Sequence, residues 1–268
     1  MASIVVVATY FGPLPFWMPA FLLSCRHNPD VRWRIYADSV PAGAIPENVA
    51  FVPLTIDELS DRTTGALGVR IDLRRSLRKV CDLKPAYGLL FEEDLKPYDF
   101  WVYSDIDVVW GHIRGFVTDA VLSRHDIVSG CRHKLAGHFT LVRNEPRTNR
   151  LLECVPDIAA ALAHEKYTHL DETGLTAQLR AMKAAGAPDA WPRIQWEKDL
   201  TLDAKYQRAL GDTDADRLWW REGRTFAADG TETMYLHFHK LKAQMDTMNF
   251  TAADSPSAFA ITRRGFIA

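Results

Sequence analysis

The segment Phe100-Trp-Val-Tyr-Ser-Asp-Ile-Asp-Val-Val-Trp-Gly111 places two acids inside an otherwise apolar run. Residues two apart on a strand project to the same face, so Asp105 and Asp107 are expected to point together. Two carboxylates on one face repel each other and lose hydration unless a cation lies beside them. A hard divalent ion such as Mg²⁺ or Mn²⁺ meets that need. The alternative is a strand that runs into solvent and carries two acids on a loop.

The segments on both sides of this run alternate between strand and helix patterns. Helical patterns lie at 19–27, 56–79 (one or two helices), 86–90, 147–167 and 174–185. The alternation predicts βαβ units with right-handed crossovers, and therefore an α/β fold with a mixed, mainly parallel sheet flanked by helices. Apolar or alternating runs predict the strands of that sheet at 3–10, 31–37, 51–54, 99–109, 126–129 and 139–143.

The second half of the chain changes character after Trp219. Gly223 and Asp229-Gly230 interrupt β-like runs that end at 233–239, which predicts a C-terminal β-rich segment of hairpins. We expect a single domain at 1–250. The residues 251–268 are rich in Ala, Ser and Pro, and we expect them to form a loosely held tail.

Composition excludes several classes of protein. The 268 residues include 32 Lys and Arg against 34 Asp and Glu, so the net charge of −2 argues against a nucleic-acid binder. The first apolar run is short and has no basic segment before it, which argues against a signal peptide or a membrane-spanning helix. Four widely spaced cysteines are typical of reduced thiols rather than of a disulfide framework. We therefore expect a soluble, cytoplasmic protein.

Two further segments carry residues suited to the same chemistry. Met234-Tyr-Leu-His-Phe-His-Lys-Leu-Lys242 would place His237 and His239 on one face of a strand and two lysines on the other. A histidine can complete a metal site, and a lysine can neutralise a diphosphate. The segment 79–88 lies some twenty residues before the acids and adds Asp82. The alternative for the late segment is a solvated strand end with mixed charges.

Taken in order along the chain, these pieces resemble GT-A-fold glycosyltransferases that use nucleotide sugars. More narrowly, the chain resembles a bacterial family, long of unknown function, found among surface-polysaccharide glycosyltransferases. The segment 38–73 and the residues after 249 carry no match. The matching pieces are TYFG (9–12), LP (14–15), NP (28–29), KVCDLKPAYG (79–88), DFW (99–101), SDIDVVWG (104–111), AGHFTLVRN (136–144), DE (171–172) and HFHK (237–240).

The resemblance implies a GT-A (Rossmann-like) fold, Mn²⁺ or Mg²⁺ as cofactor, and roles for individual residues. Asp105, beside Ser104, would contact donor hydroxyls and stand near the metal, and Asp107 would bind the metal directly. His237 matches the late metal ligand of such enzymes, with His239 as second choice. Lys240 or Lys242 would hold the β-phosphate of the donor.

The resemblance also assigns residues to the rest of the donor. Asp82 would grip sugar hydroxyls, and Lys84 would contact a phosphate where related enzymes often use Arg; the alternative for Lys84 is a charge at a helix N-terminus. Thr9 and Tyr10 close the first strand and Asp38 closes the second, at the edge where parallel strands line a ligand crevice. They could cradle the base and ribose, and a plain turn is the alternative for Asp38.

On the acceptor side, Gly137 permits close backbone approach, and His138 could bond the donor sugar or the acceptor. A structural histidine is the alternative. Asp171 or Glu172 could act as general base if the enzyme inverts the anomeric centre. Their alternative role is to cap the following helix, because acids favour helix N-termini. Retention or inversion stays open.

The function implied is transfer of a sugar, with UDP as the commonest nucleotide, to a saccharide or lipid-linked acceptor in surface polysaccharide synthesis. Peripheral membrane association is compatible with such an acceptor. One alternative is a metal-dependent nucleotidyltransferase or phosphohydrolase, although the first strand lacks a glycine-rich phosphate loop. The other is a non-catalytic carbohydrate-binding relative, which predicts loss of ligands, whereas Asp105, Asp107 and His237 are all present.

Overall fold

The computed structural model describes residues 1–186, 191–202, 217–251 and 253–268. The strands of this part of the chain are β1 (Ile4–Tyr10), β2 (Val31–Ala37), β3 (Val49–Pro53), β4 (Phe100–Ser104), β5 (Val108–Trp110), β6 (Ile127–Ser129), β7 (Phe139–Arg143), β8 (Ile194–Gln195), β9 (Leu218–Arg221), β10 (Arg224–Phe226), β11 (Glu232–Thr233), β12 (Tyr235–His237), β13 (Thr247–Met248), β14 (Ala258–Ile261) and β15 (Gly265–Ile267).

The described α-helices are α1 (Met18–Arg26), α2 (Ile56–Leu67), α3 (Tyr87–Leu90), α4 (Glu92–Leu95), α5 (Ile113–Phe116), α6 (Asp119–Arg124), α7 (Pro146–Asn149), α8 (Ile158–Ala163) and α9 (Thr176–Ala184). Two 3₁₀ helices cover Leu77–Ala86 and Leu151–Cys154, and a π-helical turn covers Asp171–Leu175. None of the helices in the described ranges is long and apolar enough to cross a membrane.

The central sheet has the strand order β3-β2-β1-β4-β7-β6-β8. The β1–β2, β2–β3, β1–β4 and β6–β8 pairs are parallel, whereas β7 is antiparallel to both of its neighbours. The predicted mixed, mainly parallel α/β sheet is therefore confirmed. Because β1, β2 and β4 run in the same direction, their carboxyl ends meet at one edge of the sheet.

Strand β1 shows why this sheet lies between two layers. Val5 and Val7 pack into one hydrophobic cluster, and Ile4 and Val6 pack into another on the opposite face. Successive side chains of a strand alternate between faces, so an uninterrupted β-branched run fills both layers at once. This confirms the prediction made for the first strand.

The predicted strand 99–109 is instead two strands. β4 ends at Ser104, and β5 begins at Val108 and pairs antiparallel with β12, outside the central sheet. The single-strand prediction failed because Val108, Val109 and Trp110 are all buried, so the apolar pattern continues unchanged through the bend. The two acids therefore lie where the chain leaves the central sheet.

A second sheet has the order β11-β10-β9-β14-β15-β13. The strands β14 and β15 belong to the residues that we expected in a loosely held tail, and that expectation is wrong for them. Phe259 and Phe266 are fully buried, and β14 pairs along its length with β9. Large apolar side chains at alternate positions hold this segment in the fold despite its small and polar flanking residues.

The predicted helix 147–167 is also broken into shorter pieces. α7, a 3₁₀ helix and α8 follow one another, with a break at Pro156 and at Asp157, whose φ is +50°. Proline cannot donate the helical hydrogen bond and disfavours a helical conformation in the residue before it.

In the predicted helical segment 56–79, the helix α2 begins after a Thr55–Glu58 capping box. It is ended by Gly68, which has the left-handed conformation.

Replacing Gly265 tests the attachment of the C-terminal strands. Gly265 has φ +148°, and a Cβ there would lie 1.8 Å from the Thr247 carbonyl oxygen of the paired strand. We expect Gly265→Ala to lower the free energy of unfolding by roughly 2–4 kcal/mol. Gly65→Ala is the matched control, because a Cβ meets nothing there, and it should be neutral or stabilising by roughly 0.5–1 kcal/mol. Equal stability of the two variants in thermal or urea unfolding would contradict this account.

Candidate functional site

The pairing of β5 with β12 brings the late histidine segment to the acids. Val108 pairs with His237, and the amide of Phe238 donates a hydrogen bond of 3.1 Å to the Asp107 carbonyl. His237, which pairs with the first residue of β5, therefore lies beside Asp107, the residue that precedes β5. This long-range pairing places an imidazole next to Asp107 at the carboxyl end of β4.

Asp107, His237 and His239 form a cluster that could hold a metal ion. One ligand atom from each residue lies within 4.8 Å of the others. His237 Nε2 is 3.4 Å from Asp107 Oδ1, and His239 Nδ1 is 3.6 Å from Asp107 Oδ2. Asp105 Oδ2 lies 3.8 Å from His237 Nε2, at the edge of the cluster. The predicted residues of the metal site are thus brought together.

The Asp107 carboxylate is 5% exposed, and Lys242 Nζ lies 2.7 Å from its Oδ2 at ion-pair distance without hydrogen-bond geometry. Burial alone would raise the pKa of Asp107, but His237, His239 and Lys242 together hold it well below its ordinary value. Among the described residues, Asp107 Oδ2 and His237 Nε2 are both buried without a hydrogen-bond partner. A buried anion with unsatisfied ligand atoms around it suits a bound cation.

Lys84 does not have the position predicted for it. Its ammonium binds the Asp105 carboxylate and the Gly137 carbonyl oxygen, the latter at 2.7 Å, and its side chain is 6% exposed. Burial alone would lower the pKa of Lys84, but Asp105 holds it well above its ordinary value, so the lysine stays charged. Because its ammonium is paired with Asp105 inside the protein, Lys84 orients Asp105 and is not available to a phosphate.

Asp82 is likewise not at the surface of the site, which corrects the predicted contact with donor hydroxyls. The residue is fully buried, and its carboxylate pairs with Lys79 Nζ at 2.8 Å. It also accepts hydrogen bonds from Thr168 and Leu170. Donors from the described residues occupy both oxygens of this buried carboxylate, so a sugar hydroxyl has no access to it.

Asp171 and Glu172 do lie beside Gly137. Asp171 Oδ1 accepts a hydrogen bond of 2.8 Å from the Glu172 amide, whereas Oδ2 is buried and has no hydrogen-bond partner in the described part of the chain. Burial raises the pKa of Asp171 to about 7. A Cβ on Gly137 would lie 3.2 Å from Asp171 Oδ2, so glycine permits this close approach. The Glu172 carboxylate forms an ion pair with Lys134.

His138 lies beside the cluster of Asp107, His237 and His239, and Ser104 bonds His138. His138 Nδ1 is 2.7 Å from Tyr235 Oη, and its ring centroid is 4.2 Å from that of His237. Ser104 Oγ donates a hydrogen bond of 2.8 Å to the His138 carbonyl. His138 therefore packs against His237, and Ser104 holds the His138 backbone, which matches the structural alternative for His138.

The remaining predicted donor residues lie at the carboxyl edge of the central sheet. Thr9 Oγ1 is 2.7 Å from Tyr87 Oη, and Tyr10 Oη donates to the Pro13 carbonyl at 3.1 Å. Both carboxylate oxygens of Asp38 accept from the Gly12 amide, at 3.0 and 3.1 Å, which fits the plain-turn alternative. The exposed Lys240 lies in the turn after His239.

Three residues of the site were missed in the sequence. Tyr235 bonds His138, Lys134 pairs with Glu172, and Trp17 Nε1 donates a hydrogen bond of 3.2 Å to the Ile106 carbonyl between the two acids. Tyr235 lies two positions before His237, so strand periodicity could have found it. Nothing in the local pattern marks Lys134 or Trp17, because their partners are distant along the chain.

Removing Lys242 should free Asp107 for a metal. A divalent ion binding at Asp107 must displace the ammonium, so we expect Lys242→Met to bind Mn²⁺ roughly threefold to tenfold more tightly than the wild type. The measurement is calorimetric titration of Mn²⁺ without nucleotide. Lys96→Met is the control, because Lys96 pairs with Glu93 at the other end of β4. Weaker Mn²⁺ binding by Lys242→Met would show that the ammonium does not compete for this carboxylate.

The raised pKa of Asp171 predicts a pH dependence of stability. Between about pH 4 and pH 7 the folded protein keeps the Asp171 proton that the unfolded chain has lost, so the free energy of unfolding falls as the pH rises. From pH 5 to pH 8 the wild type should lose on the order of 2 kcal/mol more than Asp171→Asn does. Urea unfolding over this range measures it, with Asp61→Asn on the surface of α2 as control. Parallel profiles for the wild type and Asp171→Asn would refute the assignment.

Comparison with solved structures finds glycosyltransferases of weak similarity. Mouse xyloside xylosyltransferase 1 in its apo form is 10% identical, with 88% of this chain and 97% of that chain covered and a TM-score of 0.49. The galactosyltransferase LgtC with donor and acceptor sugar analogues is 7% identical, with 88% and 87% covered and a TM-score of 0.42. A glycosyltransferase involved in glycosylation of the major capsid of PBCV-1 is 9% identical, with 94% and 96% covered and a TM-score of 0.38.

These identities are too low to transfer an activity or a substrate to this chain. Curated protein sequences give no significant match. One family model, described as a family of unknown function, matches residues 6–268. Because that match covers nearly the whole chain, this protein belongs to the family of unknown function DUF6625.

Proposed function

We propose that this protein is a metal-dependent glycosyltransferase that moves a sugar from a nucleotide-diphosphate sugar, a UDP-sugar, to a hydroxyl of a saccharide or lipid-linked acceptor. The observation that carries the proposal is the cluster of Asp107, His237 and His239 at the carboxyl edge of a mainly parallel sheet, with Lys242 on the same carboxylate. We place the reaction in surface polysaccharide synthesis on the resemblance described above.

The donor set suits the proposed metal. One carboxylate and two imidazoles can bind a first-row divalent ion, and the nitrogen ligands favour Mn²⁺ over Mg²⁺, which prefers oxygen. Asp107 Oδ2, which has only the ion pair with Lys242, and His237 Nε2, which has no hydrogen bond among the described residues, are the atoms that would bind it. When bound, the ion would offset the negative charge that develops on the leaving diphosphate.

The lysine on Asp107 would then change partner. Lys242 lies 2.7 Å from Asp107 Oδ2, and its side chain is partly exposed, so it can turn from this carboxylate to a phosphate oxygen. The neighbouring Lys240 is exposed at the same turn and adds a second positive charge. Lysine binds phosphate as a mobile point charge, which suits such an exchange.

Asp105 would orient the donor sugar. One of its oxygens is held by Lys84, while Oδ2 faces the metal cluster and the side chain remains 31% exposed. A carboxylate fixed at one oxygen presents the other to a hydroxyl at a defined angle, and such positioning lowers the barrier to reaction. Lys84 thus acts on the donor through Asp105.

The carboxyl ends of β1 and β2 would hold the nucleotide. Tyr10 is the last residue of β1, and its Oη donates a hydrogen bond of 3.1 Å to the Pro13 carbonyl. Burial raises the pKa of this phenol, on which the charges of Lys242, Asp107 and Asp38 also act. Nucleotides bind in the crevice at the carboxyl ends of parallel strands. We assign the base and ribose to Tyr10, Thr9 and Asp38.

Asp171 and Glu172 would serve the acceptor side. The Asp171 pKa of about 7 is close to the value at which a carboxyl group can both accept and release a proton at neutral pH. Asp171 is only 1% exposed, but unlike Asp82 it keeps one oxygen, Oδ2, without a hydrogen bond among the described residues. In an inverting reaction, this oxygen would take the proton of an acceptor hydroxyl that reaches it beside Gly137. The anomeric configuration of the product, measured by NMR, distinguishes this from a retaining reaction.

The first experiment is calorimetric titration of UDP into the protein with Mn²⁺ and with EDTA. We expect a micromolar dissociation constant with Mn²⁺ that weakens at least about tenfold in EDTA or in Asp107→Ala. Asp119→Ala, an exposed acid at the start of α6, is the matched control and should bind normally. A panel of UDP-sugars with analysis of released UDP then identifies the donor.

Two outcomes would contradict the proposal. A folded wild type that binds no UDP in any condition rejects a UDP-sugar donor, and titration of GDP, CMP and dTDP then separates another nucleotide from a non-catalytic relative. Metal-dependent nucleotide binding followed by release of pyrophosphate or inorganic phosphate, without sugar transfer, would favour a nucleotidyltransferase or phosphohydrolase.

A further inference from the structure

Lys79 and Asp82 form an ion pair inside the protein that the proposed reaction does not use directly. Their side chains are 1% and 0% exposed, and Lys79 Nζ lies 2.8 Å from Asp82 Oδ2. Burying two charges costs several kcal/mol for each ion unless additional hydrogen bonds satisfy both groups. The partners of this pair therefore show which part of the protein depends on it.

In the described ranges, the additional side-chain partners of this pair all belong to one segment, which runs from α8 to the start of the π-helical turn. Lys79 Nζ donates to the carbonyls of Ala161, at 2.8 Å, and Lys166, at 3.3 Å. Asp82 Oδ2 accepts from Thr168 N and Thr168 Oγ1, each at 2.9 Å, and Asp82 Oδ1 accepts from Leu170 N at 3.0 Å. The pair thus holds both ends of the segment 161–170.

The segment makes a sharp turn at the point that Asp82 holds. His169 has φ +55°, a conformation that a residue with a side chain adopts at a cost in energy. Asp82 accepts the amides on both sides of it, from Thr168 and Leu170. These hydrogen bonds offset the cost of the strained conformation at His169. Asp171 follows Leu170 directly, so the position of the turn sets the position of Asp171.

We propose that Asp82, charged and oriented by Lys79, is a positioning residue that sets the turn 168–170 and thereby places the Asp171 carboxylate beside Gly137. The inference rests on the proposed function, in which Asp171 faces the acceptor. Asp82 acts through the backbone of this turn, and not through contact with the donor sugar. From its buried position, Asp82 therefore determines where the Asp171 carboxylate lies on the acceptor side of the site.

The test compares Asp82→Asn with the milder Thr168→Val, which removes only the hydroxyl donor to Asp82. The first readout is the carboxyl ¹³C NMR titration of Asp171, and the second is hydrogen exchange of the Thr168 and Leu170 amides. We expect the Asp171 midpoint to move by at least about half a pH unit. We expect exchange at the two amides to accelerate by roughly tenfold or more.

A kinetic readout separates positioning from donor binding. In both variants kcat should fall, by roughly tenfold or more in Asp82→Asn, while the affinity for UDP and Mn²⁺ stays within about twofold of the wild type. The double variant Lys79→Met/Asp82→Asn covers the case in which the unpaired lysine prevents Asp82→Asn from folding. It should show the same shifts at Asp171.

The matched control is Asp126→Asn. Asp126 is another buried carboxylate in ion pairs, with Arg143 and Arg193, at the opposite edge of the central sheet. This variant should lose stability without moving the Asp171 titration. If Asp82→Asn and Thr168→Val lower stability but leave Asp171, the two amides and kcat as in the wild type, the positioning role is wrong. If the wild type transfers no sugar, the proposed function fails, while the NMR and exchange readouts still decide the role of Asp82.

Discussion

Asp107 carries a carboxylate that is almost fully removed from water at the point where the chain leaves the central sheet. An uncompensated charge there would cost several kcal/mol, so the surrounding structure must supply positive charge or a cation. The β5–β12 pairing does this, because it places His237 beside Asp107 and is followed by His239 and Lys242. The two-stranded pairing therefore couples the central sheet to the C-terminal sheet and creates the site in the same step.

Three lysine–carboxylate pairs differ in how far the lysine is exposed. Lys79 and Asp82 are inside, Lys84 and Asp105 lie at the edge, and Lys242 reaches the cluster from the partly exposed C-terminal segment. A fully buried pair stays fixed, because neither group can leave without exposing an unpaired charge. A partly exposed lysine can exchange its partner at little cost, which is why we propose a positioning role for the inner pair and a ligand-exchange role for Lys242.

Residue type and order were sufficient to predict that Asp107, His237 and His239 lie together. Acids two apart at the end of an apolar run, and histidines two apart near the C-terminus, each have a chemical reason to be functional. The same reasoning assigned Asp82 and Lys84 to the ligand, whereas the protein uses both internally. A charged residue in an apolar context has the same appearance in the sequence whether its partner is a substrate or another side chain.

Local sequence determined the strands β1, β2, β3, β6 and β7 and the start of β4, because these depend on side-chain periodicity over a few residues, but it did not mark the bend that ends β4 at Ser104. Tertiary structure alone decided the partner of β5, the inclusion of β14 and β15 in a sheet, and the neighbours of Asp171. Those features depend on hydrogen bonds and ion pairs between segments far apart in the chain, and the energy of such a contact depends on both partners being brought together. A short stretch of sequence contains only one of the two partners of such a contact, so it cannot show that the contact forms.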